Sequence, residues 1–321
     1  MRIKLYIISI VSLFAAFFLS CTDPVAGAMA KGDALYSSGE WKGSINEYNT
    51  VINSGIDDNE VYYKRGLALR NSGDYDAAIK DFDKVISVSP DYSEVYAARS
   101  LAFALQDDIK RAMEDMDRAI KMNNDNARVI EDNMVDAYFK LGIAFRDHGH
   151  SIYAQVFLGK VIRIKREWAQ GYIERSKIYT SSQGYELAVV DLNKAIKYDP
   201  ASFEAYLLRS ENYMNTGKYD LALADADKSI SLNSKSISAF LNRGFIFYKT
   251  GNYDKALVDL NTANSLDQSN YLAKYYRGLV YLAKNMNSEA IADFKAVMAL
   301  KDTDPQVLSK TQAYIADLSG K

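Results

Sequence analysis

Residues 242–263 read NRGFIFYKTGNYDKALVDLNTA, and residues 64–90 read KRGLALRNSGDYDAAIKDFDKVISVSP. Each stretch places glycine after arginine, then Gly-Asn-Tyr-Asp or Gly-Asp-Tyr-Asp, then an alanine twelve residues beyond the first glycine. Working outward, the small residue recurs every 34 positions at Gly32, Gly66 and Ser100, and again at Gly142, Ser176, Ser210, Gly244 and Gly278. The gap between the two runs is 42. The second small column is Ser44, Ala78, Ala112, Ala154, Ala188, Ala222, Ala256 and Ala290. Aromatic residues stand four before the first column at Tyr62, Tyr96, Tyr138, Tyr172, Tyr206 and Phe240, with Ala28 and Lys274 at the ends. A second apolar column follows at Leu35, Leu69, Phe103, Phe145, Tyr179, Tyr213, Phe247 and Tyr281. A fixed period of this length marks a repeat architecture.

The period and its columns resemble the tetratricopeptide repeat (TPR) family. The resemblance implies an all-α, right-handed superhelical solenoid of about eight helix-turn-helix repeats with a C-terminal capping helix. Glycine at 39, 73, 149, 217 and 251 fits a turn that needs left-handed backbone. The small columns let the two helices of a repeat approach, and the aromatic columns fill the space between repeats. Most tyrosines are therefore expected in the core. Repeats one to three take residues 25–126, an insertion takes 127–134, and repeats four to eight take 135–304. The insertion, ARVIEDNM, has no glycine or proline and is expected to start the next helix about two turns early. Residues 305–321 are expected to form the cap, with Pro305 opening a helix whose apolar side is Val307, Leu308, Ile315 and Leu318.

A basic residue precedes the small one at Lys31, Arg65, Arg99, Arg175, Arg209, Arg243 and Arg277. An acid stands sixteen residues after each, from Glu47 and Asp81 to Asp259 and Asp293. In the fourth repeat both change together, to Leu141 and Phe157. The economical reading is a contact between paired helices, ionic in seven repeats and apolar in one, and not a ladder for anionic ligands.

In the TPR family the first helix of each repeat lines a groove for partner segments. Carried onto this chain, the groove positions are Tyr63 and Leu67 in repeat two, Phe139 and Ile143 in repeat four, and Ile173 in repeat five. Leu207 and Met214 follow in repeat six, Leu241, Phe245 and Tyr248 in repeat seven, and Tyr275, Leu279 and Leu282 in repeat eight. The same mapping adds Arg70, Ala97, Leu101, Arg146, Lys177 and Glu211. The apolar character of the later positions suggests an apolar or amphipathic partner.

Composition narrows the function classes. A net charge of -2 offers nothing to neutralise phosphates, so nucleic acid is not an expected partner. One cysteine excludes an internal disulfide framework, and His148 with His150 in one turn makes a poor metal site, so neither metal nor cofactor is expected. No nucleophile–base pair or phosphate loop is evident, and the repeats leave no room for a catalytic domain.

The chain begins MRIKLYIISIVSLFAAFFLSC. Arg2 and Lys4 precede an uncharged run from Leu5 to Leu19, short for a bilayer span of about 20 residues but suited to a secretory signal. The ending Phe18-Leu19-Ser20-Cys21 resembles a bacterial lipoprotein signal, with Phe18 where the family usually has leucine. That resemblance implies removal of residues 1–20, acylation of Cys21, and a tether over 21–24. An uncleaved anchor and simple secretion are the alternatives. The expected function is a non-enzymatic scaffold or adaptor of the bacterial cell envelope, lipid-anchored on the periplasmic or cell-surface side and gripping other envelope proteins. The alternative is a ligand-binding accessory of a solute transporter, with a small-molecule ligand.

Overall fold

The computed structural model describes residues 24–122 and 127–320. The expected leader, the acylation site Cys21 and the tether residues before Pro24 lie outside the described residues. Among the described residues there are seventeen α-helices and no strand. Two compact units divide the chain, Met1–Phe157 and Leu158–Lys321.

In the first unit the helices are α1 (Pro24–Ser37), α2 (Trp41–Asn53), α3 (Asn59–Asn71), α4 (Tyr75–Val88), α5 (Ser93–Leu105), α6 (Ile109–Met122), α7 (Ala127–Asp147) and the start of α8 (Ser151–Ile164). The second unit takes the rest of α8, then α9 (Ala169–Ser181), α10 (Tyr185–Tyr198), α11 (Phe203–Asn215), α12 (Tyr219–Leu232), α13 (Ile237–Lys249), α14 (Tyr253–Leu266), α15 (Tyr271–Ala283), α16 (Asn287–Met298) and α17 (Pro305–Ser319). The helices α1, α3, α5, α9, α11, α13 and α15 each pair with the helix that follows, α17 packs on α16, and within each unit successive pairs stack in chain order. The helix α7 runs 21 residues, against 13 in α3 and α5.

Local chemistry sets the helix ends. Asp58, Asp74, Ser202, Ser236, Asn270 and Asp304 each accept from a backbone N–H of the first turn, satisfying donors that a helix leaves unpaired. The turn after α3 is closed by Gly73 N–H to Arg70 O at 3.1 Å and Asp74 N–H to Leu69 O at 3.0 Å, a Schellman pattern. Its left-handed residue recurs in every pair. Five are glycines, but Asp107, Gln183 and Asn285 hold φ of 63°, 60° and 59° in the same place.

The small column now has a physical cause. A Cβ on Gly32, Gly66 or Gly278 would lie 2.6 Å from the ring of Tyr48, Phe82 or Phe294, sixteen residues on. Where serine replaces glycine, at 100, 176 and 210, the residue sixteen on is Met116, Leu192 or Ala226. At three of the column's five glycines the facing residue is thus a ring; Gly244 faces Leu260 at 3.0 Å, and the residue sixteen beyond Gly142 is Leu158. Ser100 and Ser210 use their hydroxyls on the backbone of the paired helix, donating to Ala112 O at 2.6 Å and Ala222 O at 2.7 Å.

The aromatic column also explains its own exception. Tyr96 and Tyr172 donate their hydroxyls to Pro90 O and Arg166 O, six residues upstream, at 3.1 and 2.9 Å. Lys274, which breaks the column, sends its ammonium to Gln268 O, again six upstream, and to Asn264 Oδ1 at 2.9 Å. One donor replaces another at the same loop. At the end of the chain, α17 lays Val307, Tyr314, Ile315 and Leu318 over Phe294 and Val297 of α16. Phe294 and Tyr314 stack at 5.3 Å and 15°.

Candidate functional site

The charged column is framework. Arg65, Arg175, Arg209, Arg243 and Arg277 each make two bonds of 2.6–2.7 Å to the carboxylate sixteen residues on, and Arg99 does so at 2.7 and 2.8 Å. Lys31 reaches Glu47 at 2.6 Å. The aspartates are buried, which holds each pair in a fixed fork-to-carboxylate geometry. The remaining guanidinium nitrogen reaches back to the previous pair of helices: Arg65 to Asn49, Arg209 to Asn193, Arg243 to Asp227 and Arg277 to Asn261, all at 2.6–2.7 Å. Each of these arginines thus ties its own pair together and to its predecessor, a second role that pairwise reading of the sequence missed. Where rings stand three before and four after an arginine they flank the guanidinium, as Tyr206 and Tyr213 flank Arg209 at 5.6 and 5.8 Å. In the fourth pair Leu141 and Phe157 are buried, and Phe157 takes the flanked place, 6.0 Å from Tyr138 and 5.7 Å from Phe145.

Cavities lie mainly along the first helices, one of about 300 Å³ between α1 and α3 also being lined by Tyr48 of α2. In the first unit a cavity of about 250 Å³ is lined from α1, α3, α5 and α7. It brings together the expected Tyr63, Leu67, Arg70 and Leu101 with Tyr36 and Met134. Arg70 is only 6% exposed and has no buried carboxylate fork; its bonds go to Asn71 Oδ1 at 3.1 and 3.3 Å. Burial pulls its guanidinium below the usual range, and burial pushes the neighbouring Tyr63 phenol up to about 12.

In the second unit a cavity of about 190 Å³ is lined from α11, α13 and α15. It brings together the expected Glu211, Met214, Leu241 and Phe245 with Asn242, Leu272 and Tyr276. The rings of Phe245 and Tyr276 lie 4.6 Å apart. Glu211 is raised above the usual carboxylate range by burial, with no compensating partner among the described residues. Asn242 is 7% exposed, and its Oδ1 is buried without a hydrogen bond. An unmet acceptor of this kind costs about 1–3 kcal/mol.

The other expected positions are placed differently. Tyr248 touches Phe245 at 5.9 Å, and Tyr275 touches Tyr276 at 5.8 Å. Tyr275, Leu279 and Leu282 pack in the cluster beneath α17. Phe139 and Ile143 are half-buried on α7, Leu207 is 8% exposed on α11, and Ile173 is 1% exposed within the core of α9 and α10. Both cavities also use two columns that the family mapping did not include. Two residues before the small position stand Ala98, Lys140, Asn242 and Tyr276; six before it stand Glu94, Asp136, Ser238 and Leu272. Spacings of three and four put these on the same helix face as the mapped ones, so helical periodicity alone carried the signal. His150 Nε2 lies 2.6 Å from Asp107 Oδ1, and His148 Nδ1 lies 2.8 Å from Ala144 O.

Comparison with known proteins agrees with this geometry. Models described as tetratricopeptide repeat match residues 60–92, 169–202, 203–236 and 241–305, together about half of the chain. No protein of curated function matches it. Among solved structures, a TPR protein of Parabacteroides merdae aligns at 15% identity over 80% of this chain and 98% of its own, with a TM-score of 0.59. A thermophilic TPR protein of Thermus thermophilus aligns at 16% identity over 57% of this chain and 99% of its own, with a TM-score of 0.50. The Cut9–Hcn1 assembly of the APC/C aligns at 14% identity over 90% of this chain and 55% of that one, with a TM-score of 0.54. These likenesses are of fold. With helices paired at a 34-residue period and the repeat models matched along it, the chain belongs to the tetratricopeptide repeat family.

Proposed function

We propose that this protein is a non-catalytic, lipid-anchored adaptor of the bacterial cell envelope that holds segments of other envelope proteins on its first-helix faces. One observation carries the binding half of this reading: the cavities of α3, α5 and α7 and of α11, α13 and α15 open on first helices, the second with apolar walls around a few polar groups and the first mixing apolar side chains with the charged Arg70, Glu94, Asp136 and Lys140. Such a surface suits an apolar or amphipathic polypeptide. The anchoring half rests on the sequence from Met1 to Cys21. Two or three acyl chains give stable attachment where one gives only marginal binding, and the short stretch to α1 would keep the first repeats close to the bilayer.

The test is affinity capture from solubilised envelope membranes with the full acylated chain, its Phe245→Asp variant and its Val258→Asp variant. Val258 is 66% exposed on a second helix and serves as the control. One protein should be retained by wild type and Val258→Asp and lost with Phe245→Asp, each variant being checked for helix content. Equal retention by all three, or loss only with Val258→Asp, overturns the reading.

A further inference from the structure

The cavity on α11, α13 and α15 contains acceptors with nothing to accept. Glu211 lines it without a hydrogen bond or ion pair to any described residue, and burial is the sole influence on its titration. Asn242 lines it too, and the identity of its unpaired atom follows from its neighbour. Ser210 has one hydroxyl hydrogen and donates it to Ala222 O at 2.7 Å, so it can only accept from Asn242. The atom 3.0 Å from Ser210 Oγ is therefore the amide nitrogen, which leaves Oδ1 as the orphan. Beside these acceptors the Phe245 and Tyr276 rings present faces that attract cations, and exposed Lys249, outside the lining, already sets its ammonium 5.3 Å from the Phe245 centroid. Met214, Leu241 and Leu272 complete an apolar wall.

A carboxylate, a spare amide oxygen, two aromatic faces and an apolar stem wall are complementary to one kind of group. We propose that this cavity receives a single basic side chain, lysine or arginine, from a bound polypeptide segment. The charged head meets Glu211 and the Asn242 oxygen, and the methylene stem lies along Met214, Leu241 and Leu272, as long basic side chains do on apolar surfaces. A volume of about 190 Å³ suits one long side chain better than a free ligand. The inference rests on the polypeptide-binding reading above and names the chemistry that its second-unit site selects.

The experiment is selection of a phage-displayed dodecamer library on the immobilised full chain. Peptides with lysine or arginine fixed at one position are expected. The best peptide, made synthetically, should bind Glu211→Gln at least tenfold more weakly. Its norleucine analogue should lose as much on wild type and little more on the variant. The norleucine comparison uses unaltered protein, so it decides even if the variant folds poorly. n-Butylammonium should compete only at concentrations at least a hundredfold above the peptide. Enriched peptides with no basic position, or affinity indifferent to both Glu211→Gln and norleucine, overturn the proposal and leave the polypeptide reading standing. Butylammonium competing as well as the peptide makes the occupant a free amine and overturns it as well. No enrichment over a blank surface overturns the polypeptide reading and the proposal with it.

Discussion

Replacing Arg209 by leucine tests the claim that the charged column is framework. Arg209 gives two 2.7 Å bonds to Asp225 and one of 2.6 Å to Asn193 on the previous pair. Its side chain is 18% exposed and that of Asp225 is 8% exposed, so its removal strands a carboxylate with little water to solvate it. Breaking a buried pair from one side costs about 3–5 kcal/mol. Partial exposure of the arginine places the expected loss near the lower end, about 3 kcal/mol. The chain supplies its own rescue, because the fourth pair solves the same contact with Leu141 and Phe157. Phe157 sits near Tyr138 and Phe145, and the corresponding rings around Arg209 are Tyr206 and Tyr213. Arg209→Leu with Asp225→Phe should therefore recover stability to within about 1 kcal/mol of wild type, since apolar replacement of a whole buried pair is often neutral. Urea unfolding followed by far-ultraviolet dichroism measures both. A loss under about 1 kcal/mol for the single variant, or no recovery in the double, refutes the reasoning.

Four further outcomes follow from particular residues. Gln183→Gly should raise stability by about 1 kcal/mol, since Gln183 holds φ of 60° where glycine pays no steric penalty; thermal melting checks it. Gly278→Ala should cost about 1–3 kcal/mol by overpacking, its Cβ falling 2.6 Å from the buried Phe294 ring, and should cost less in a Phe294→Leu background. Burial raises the Glu211 pKa, so the folded chain holds that proton more tightly than the unfolded chain; its stabilising share is full below the unfolded value near about 4.3 and is lost as pH rises through the folded value. Glu211→Gln should accordingly melt higher than wild type at pH 7, with the gap closing toward pH 4. Intact mass of the mature protein should lack residues 1–20 and carry acyl mass at Cys21, and a free thiol there contradicts the anchor.

The fold was legible because its spacing is stamped on the chain eight times. The turn glycines, the alanine column and the paired Arg/Asp positions are local or near-local signals, and each has a direct physical cause in the structure. Less legible was whatever depended on a third element. The backward bond from Arg209 to Asn193 needs the previous pair in place. Lys274 reads as a defect until its bond to the Gln268 carbonyl reveals a donor exchanged for a tyrosine hydroxyl. In the candidate site, Met214, Leu241 and Phe245 were found by their helix face, whereas Ile173 at the equivalent register packs inward. Asn242 escaped because an orphaned oxygen is a property of its neighbours, here Ser210 and Ala222, and not of asparagine itself.

Hydrogen exchange of the full chain, free and with a selected peptide bound, tests the central claim most directly. Binding on the first helices predicts slowed exchange along 203–215, 237–249 and 271–283, which line the second-unit cavity, with 219–232 and 253–266 unchanged. Protection confined to those second helices, where Leu221 and Val258 are exposed, would contradict it.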